Sequence, residues 1–170
     1  VFALRGPKGF RMDDGDNAAT PLTDDSWGVG DYVLTFAGYA TPPLLGLGGA
    51  VAIAHGNAGG VLWIAVILLI AAFFAAGNDL ALAVTLLAVI GVGWVAFAGS
   101  PTLQAGVAGG LVWWGLLGGP RATVVMGLSP TSDAGYLARR ALLPRIVWKG
   151  IWIAIAVLCL LRGGRLLLYR

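Results

Sequence analysis

The sequence predicts an all-α, polytopic transmembrane helical bundle of about five spans with a small polar N-terminal hairpin or loop region. Three observations predict it. Of the 170 residues, 58% are hydrophobic and 11% are charged, whereas about a quarter of the residues in a soluble domain carry charge. No Lys, Arg, Asp or Glu occurs between Asp31 and Asp79, or between Asp79 and Arg121. Each interval has room for two helices of the ~20 apolar residues that cross ~30 Å of hydrocarbon. Finally, no amphipathic layer remains to cover a soluble core.

Two regions follow: residues 1–30 as a polar interfacial head, and residues 31–170 as the bundle, with an interfacial segment at about 129–144. In the head, "GFRMDDGDNAATPLTDDSWG" places Asp14-Gly15 between two short runs, the chemistry of a tight turn. Its aspartates lack the twelve-residue spacing and closing Glu of a calcium loop. The head also lacks the apolar core of a secretory signal.

The first span, about Asp31 to His55, carries Pro42-Pro43 near its middle. Two missing backbone donors there predict a kink or an interruption. The second span runs from about Gly60 to Ala76 and the third from about Leu80 to Ala98. The short Asn78-Asp79 turn makes them an antiparallel hairpin, with Asp79 as a turn and helix-cap residue. Ser100-Pro101 opens the fourth span, Pro suiting a first helical turn. Small residues four apart, Ala105/Gly109 and Gly115/Gly119, allow close helix approach. Of these we expect Ala105, Gly109 and Trp113 to form a stripe packed on another helix.

The fifth span covers about Ile146 to Leu161. Before it, "SPTSDAGYLARRALLPRIVWKGIW" gathers Arg139, Arg140, Arg145 and Lys149, with Arg121 just upstream, against the single Asp133. Thr131 or Ser132 reads as a helix cap and Asp133 as an acid near the positive helix end. The arginines suit lipid phosphates, and the basic excess predicts that this loop is cytoplasmic. The net charge of +3 is thus assigned to the membrane surface, and no nucleic-acid partner is expected.

The catalytic inventory is short. The chain holds one His, one Cys and no Glu, all its acids being Asp. H-E-x-x-H, which presents two zinc ligands and a base on one helix face, cannot be written from these residues. His55, at a span end, reads as an interfacial loop residue, with cofactor ligation as the weaker alternative. No phosphate-binding loop is present, because the glycines lie within apolar spans. Neither cofactor nor metal is therefore expected. Cys159 is alone, so no internal disulfide forms.

Three stretches carry a resemblance: "FAGYATPPLLGLGGA" (Phe36 to Ala50), "SPTLQ" (Ser100 to Gln104) and "SDAGYLARRALLPRIVWKGIW" (Ser132 to Trp152). In the first, Ala37, Gly38, Tyr39, Pro42, Leu44, Leu45 and Gly46 fit an A-G-Y-x-x-P-x-L-L-G pattern. In the last, Ser132, Asp133, Ala134, Leu137, Ala138, Pro144, Trp148 and Trp152 fit S-D-A-x-x-L-A…P-x-x-W-x-x-x-W. The chain resembles, over about residues 10 to 165, a short bacterial branch of the site-2-protease-like intramembrane zinc metallopeptidases. The resemblance implies a bacterial inner-membrane, multi-pass protein and makes Asp133 the candidate site-lining acid. It also implies a zinc helix bearing H-E-x-x-H ahead of the hairpin that residues 9–22 resemble, and that helix is not in this sequence.

Three functional readings follow. The first is a non-catalytic accessory or scaffold subunit working with other membrane proteins. The second is part of an intramembrane zinc protease whose H-E-x-x-H helix lies upstream. A carrier or channel comes last, since the spans lack a polar lining.

Overall fold

A computed structural model describes residues 11–12, 18–19, 29–125, 137–138 and 144–169. The described residues contain two short strands, β1 (Arg11–Met12) and β2 (Ala18–Ala19), and five helices. The helices are α1 (Val29–Ala54), α2 (Ala58–Phe74), α3 (Asp79–Ala98), α4 (Pro101–Val125) and α5 (Arg145–Leu168). The strands pair antiparallel, Arg11 with Ala19 and Met12 with Ala18. The Asp14-Gly15 turn expected between them lies outside the described residues.

Three helical segments are long and apolar enough to cross a membrane: Phe36–Ala54, Asp79–Ala98 and Arg145–Leu168. α2 is apolar but has 17 residues. α4 has the length, with 25 residues, but its glycines, Gln104 and Arg121 dilute its apolar character. Their outward faces are bare hydrocarbon: Phe74, Phe97 and Trp114 are each more than four-fifths exposed. That is the surface expected of helices that lipid surrounds.

The chain forms two compact units, one of Val1–Ser26 with Gly59–Gln104 and the other of Trp27–Ala58 with Ala105–Arg170. In the first unit β1 lies against α3. α3 is started by Asn78, whose side chain accepts from the Ala81 amide at 3.2 Å. Asn78 is therefore the cap, and Asp79, read as a cap from sequence, is the first helical residue. The α3–α4 turn is held by Gln104, whose amide donates to the carbonyls of Val95 at 3.3 Å and Ala96 at 3.1 Å. Those are the orphan acceptors at the end of α3. The buried Thr85 hydroxyl donates back to the Ala81 carbonyl at 2.6 Å, which satisfies it within an apolar helix.

In the second unit α1 and α5 run parallel, and α4 runs antiparallel to both. Phe36 meets Trp148 and Trp152 at the start of α1 and α5. Lys149 Nζ donates to the Val124 carbonyl at 3.3 Å, which fixes the end of α4 beside the start of α5. α1 does not break at Pro42-Pro43: the helix continues through both. The expected interruption is therefore corrected. α4 packs against both prolines: the Pro42 carbonyl faces Gly115, and the buried Pro43 ring lies against Gly119. Neighbouring helices stabilise a proline-containing segment in this way.

α1 stops at a glycine-dependent turn. Gly56 has φ +79°, its amide donates to Ile53 and the Asn57 amide donates to Ala52, both at 2.9 Å. This pairing closes the last carbonyls and requires a left-handed residue, which glycine supplies without strain.

Candidate functional site

The motif residues that carried the resemblance converge in the second unit, in two layers. The first layer is aromatic. Trp152 is fully buried, and its Nε1 donates to the Phe36 carbonyl at 3.2 Å. Its ring lies 4.7 Å from that of Tyr39 and 6.1 Å from that of Phe36. Trp148 stands edge-on to Phe36 at 6.1 Å. Leu137, 2% exposed, completes the cluster. Phe36 and Tyr39 are three apart on α1, and Trp148 and Trp152 four apart on α5, so each pair shares one helix face. Trp148 Nε1 is buried with no hydrogen-bond partner among the described residues, an arrangement that costs about 1–3 kcal/mol.

The second layer is built from glycine. A Cβ placed on Gly46 would lie 2.8 Å from the Leu116 amide nitrogen, and one on Gly115 would lie 3.0 Å from the Pro42 carbonyl oxygen. α1 and α4 are thus in backbone contact. Gly163 on α5 receives the Leu116 side chain, with a Cβ there 2.9 Å from both its methyls. Leu116 itself is fully buried. Close approach of this kind is how helices associate where no hydrophobic effect separates them from lipid.

The close approach within the chain is made at Gly115 and Gly119 of α4, not at Gly109. The buried line of α4 is Ala108, Val112, Leu116, Gly119 and Thr123. Ala105 is exposed and Gly109 half-buried, with nothing within 4 Å of a Cβ built on Gly109. Trp113 is half-buried, its ring 3.5 Å from a Cβ on Gly164. Packing of the Ala105, Gly109 and Trp113 stripe on a helix of another subunit stays a proposal, and Gly109→Leu tests it. A Cβ there meets none of the described residues within 4 Å, so the stability of the isolated protein, read by thermal melting, should hold within about 0.5 kcal/mol. Loss of a copurifying membrane partner in that variant would place the stripe at an interface.

His55 caps the C-terminal end of α1, its exposed ring donating from Nδ1 to the Val51 carbonyl at 2.8 Å. Cys159 is buried on α5, and Asp79 opens α3. Among the described residues no three His, Cys, Asp or Glu side chains come together. A zinc site needs about three convergent protein ligands, and these residues do not fit one. Asp133 lies outside the described residues, as do Arg139, Arg140 and most of the 129–144 segment. Leu137, four residues after Asp133, is the part of that segment seen docked on the aromatic cluster. Sequence reading missed the partnership of Gly46 with Leu116 and of Gly163 with Leu116. Glycine spacing within one helix marks where approach is permitted, but not which helix arrives.

A glycine-mediated membrane helical bundle, locked at one end by tryptophans, is the class of structure these contacts define. The Peptidase M50B-like family model matches residues 8–163. The chain therefore belongs to that family, the site-2-protease-like metallopeptidases that its motifs resemble. No curated protein and no solved structure matches the chain.

Proposed function

We propose that this chain is the membrane-embedded scaffold of a site-2-protease-like protein, serving as a non-catalytic accessory or scaffold subunit of a larger membrane complex. One observation carries the reading. Family membership spans residues 8–163, yet the 170 residues hold a single His and no Glu, and H-E-x-x-H requires two His and one Glu. The family motif residues that are present do packing work: Gly46 admits α4, Tyr39 stacks on Trp152, and Trp152 donates to the α1 backbone.

The protein would sit in the bacterial cytoplasmic membrane and cross it several times. Arg121, Arg145 and Lys149 lie toward the end of the second unit where α4 finishes and α5 begins, and that end would face the cytoplasm. A second reading rests on the same packing. α1, α4 and α5 form a frame on which an H-E-x-x-H helix from a preceding segment would complete a peptidase, with Asp133 lining the site. The coding sequence ahead of Val1, read with the zinc content of the natural protein, separates the two.

A further inference from the structure

At the end of the second unit opposite the aromatic cluster, α1 and α5 line a groove of about 830 Å³. One wall is the α1 face of Leu47, Val51 and Ala54, and the other is Arg162, Arg165 and Leu166 of α5 with Tyr169 just past its end. The positions repeat at three- and four-residue intervals, so each wall is a single helical stripe. The wall on α1 is wholly apolar. The wall on α5 carries two guanidinium groups and a phenol beside Leu166, and both arginines are exposed. No described carboxylate lies in this unit near them: Asp79 belongs to the other unit, and Asp31 lies near the opposite end of α1.

The position of the arginines along α5 is unusual for a membrane-crossing helix. Gly150 to Leu161 is the charge-free stretch between Lys149 and Arg162, about 18 Å of helix against ~30 Å of hydrocarbon. With Lys149 at one headgroup level, Arg162 would fall short of the other and reach outward along the groove. An anion at the groove mouth that also carries an apolar tail satisfies both walls.

We infer that the groove formed by Leu47, Val51, Ala54, Arg162, Arg165 and Tyr169 binds an anionic phospholipid of the surrounding bilayer. Its phosphate is held by Arg162 and Arg165, and an acyl chain lies along Leu47 and Val51. Arginine is suited to the first task because its planar fork meets phosphate oxygens in pairs. The aromatic ring of Tyr169, 84% exposed, stands where interfacial aromatics contact headgroups. The inference holds under either reading of function, because it uses only the bilayer and the α1–α5 pair.

The test is native mass spectrometry of the full chain released from nanodiscs containing phosphatidylglycerol and phosphatidylcholine in equal amounts. The expected result is preferential retention of phosphatidylglycerol. The double variant R162Q/R165Q should lose that retention by roughly 30-fold, two cations near an anionic headgroup being removed. R121Q, at the other end of the bundle, should keep it. Val51→Trp, which fills the apolar wall without touching charge, should lower retention while leaving the melting temperature near that of the parent protein. Added inorganic phosphate should not displace the lipid, and displacement would make the site one for a free anion. Equal retention of the two lipids, an unaffected double variant, or equal loss in R121Q would each overturn the inference.

Discussion

Replacing Gly46 with alanine is expected to destabilise the detergent-solubilised protein by about 3 kcal/mol, and with leucine to prevent its folding. The added Cβ lands 2.8 Å from the Leu116 amide nitrogen and 3.1 Å from the Gly115 carbonyl carbon. Both are backbone atoms of α4, so no side-chain rotation relieves the clash. α1 and α4 would have to separate, releasing Pro42 from Gly115 and Pro43 from Gly119. Gly163→Ala should cost less: its nearest atoms are the Leu116 methyls at 2.9 Å, the far end of a flexible side chain. Gly48→Ala is the control. Nothing lies within 4 Å of its Cβ, so alanine there should be neutral or stabilise by up to about 1 kcal/mol, the usual helix preference over glycine. Thermal melting followed by circular dichroism in one detergent checks all three. A Gly46→Ala variant as stable as Gly48→Ala would show that α1 and α4 are not in backbone contact.

Trp152→Ala should be the second large loss, about 3–5 kcal/mol, because it empties the fully buried centre of the aromatic cluster. Trp152→Phe keeps the ring beside Tyr39 but removes the donor to the Phe36 carbonyl. It should retain most of the stability, losing about 1 kcal/mol for the bond and some more for the smaller ring. Trp148→Phe should behave differently although it is the same substitution. Trp148 Nε1 is buried without a partner among the described residues, so removing it relieves a desolvation cost and offsets the lost area. The measurement is chemical or thermal unfolding of the three variants side by side. If Trp148→Phe and Trp152→Phe are equally destabilised, the hydrogen bond to Phe36 carries no weight.

The helices were legible because their signals are local. Ser100 before Pro101 starts α4, and the Ser100 hydroxyl accepts from the Leu103 amide at 3.3 Å. The two charge-free intervals located four of the five helices, and the apolar run from Ile146 to Leu161 located the fifth. Of the kink or interruption expected at Pro42-Pro43, the interruption does not occur: the α4 glycines that lie against these prolines are more than seventy residues away in sequence, so local reading does not see them. The stripe of Ala105, Gly109 and Trp113 shows the same limit. Its spacing is as favourable as that of Gly115/Gly119, but only the latter meets α1, and the choice depends on the rotation of α4 about its axis. The motif "SDAGYLARRALLPRIVWKGIW" marked a functional segment by resemblance. What the geometry adds is that its Leu137, Trp148 and Trp152 are anchors, pinned to Phe36 and Tyr39. The lipid groove left no such mark in sequence: it appears only when Arg162 and Arg165 are seen beside the apolar face of α1.

The proposed scaffold role predicts that this chain by itself holds no zinc. The most direct measurement is the metal content of the purified 170-residue chain, by elemental mass spectrometry against protein concentration after dialysis in zinc-containing buffer. Among the described residues no three His, Cys, Asp or Glu side chains converge, whereas a zinc site needs about three protein ligands. The expected result is zinc far below one equivalent, unchanged when His55 is replaced by alanine. Zinc near one equivalent on this chain, lost on replacing His55 or Asp133, would contradict the account.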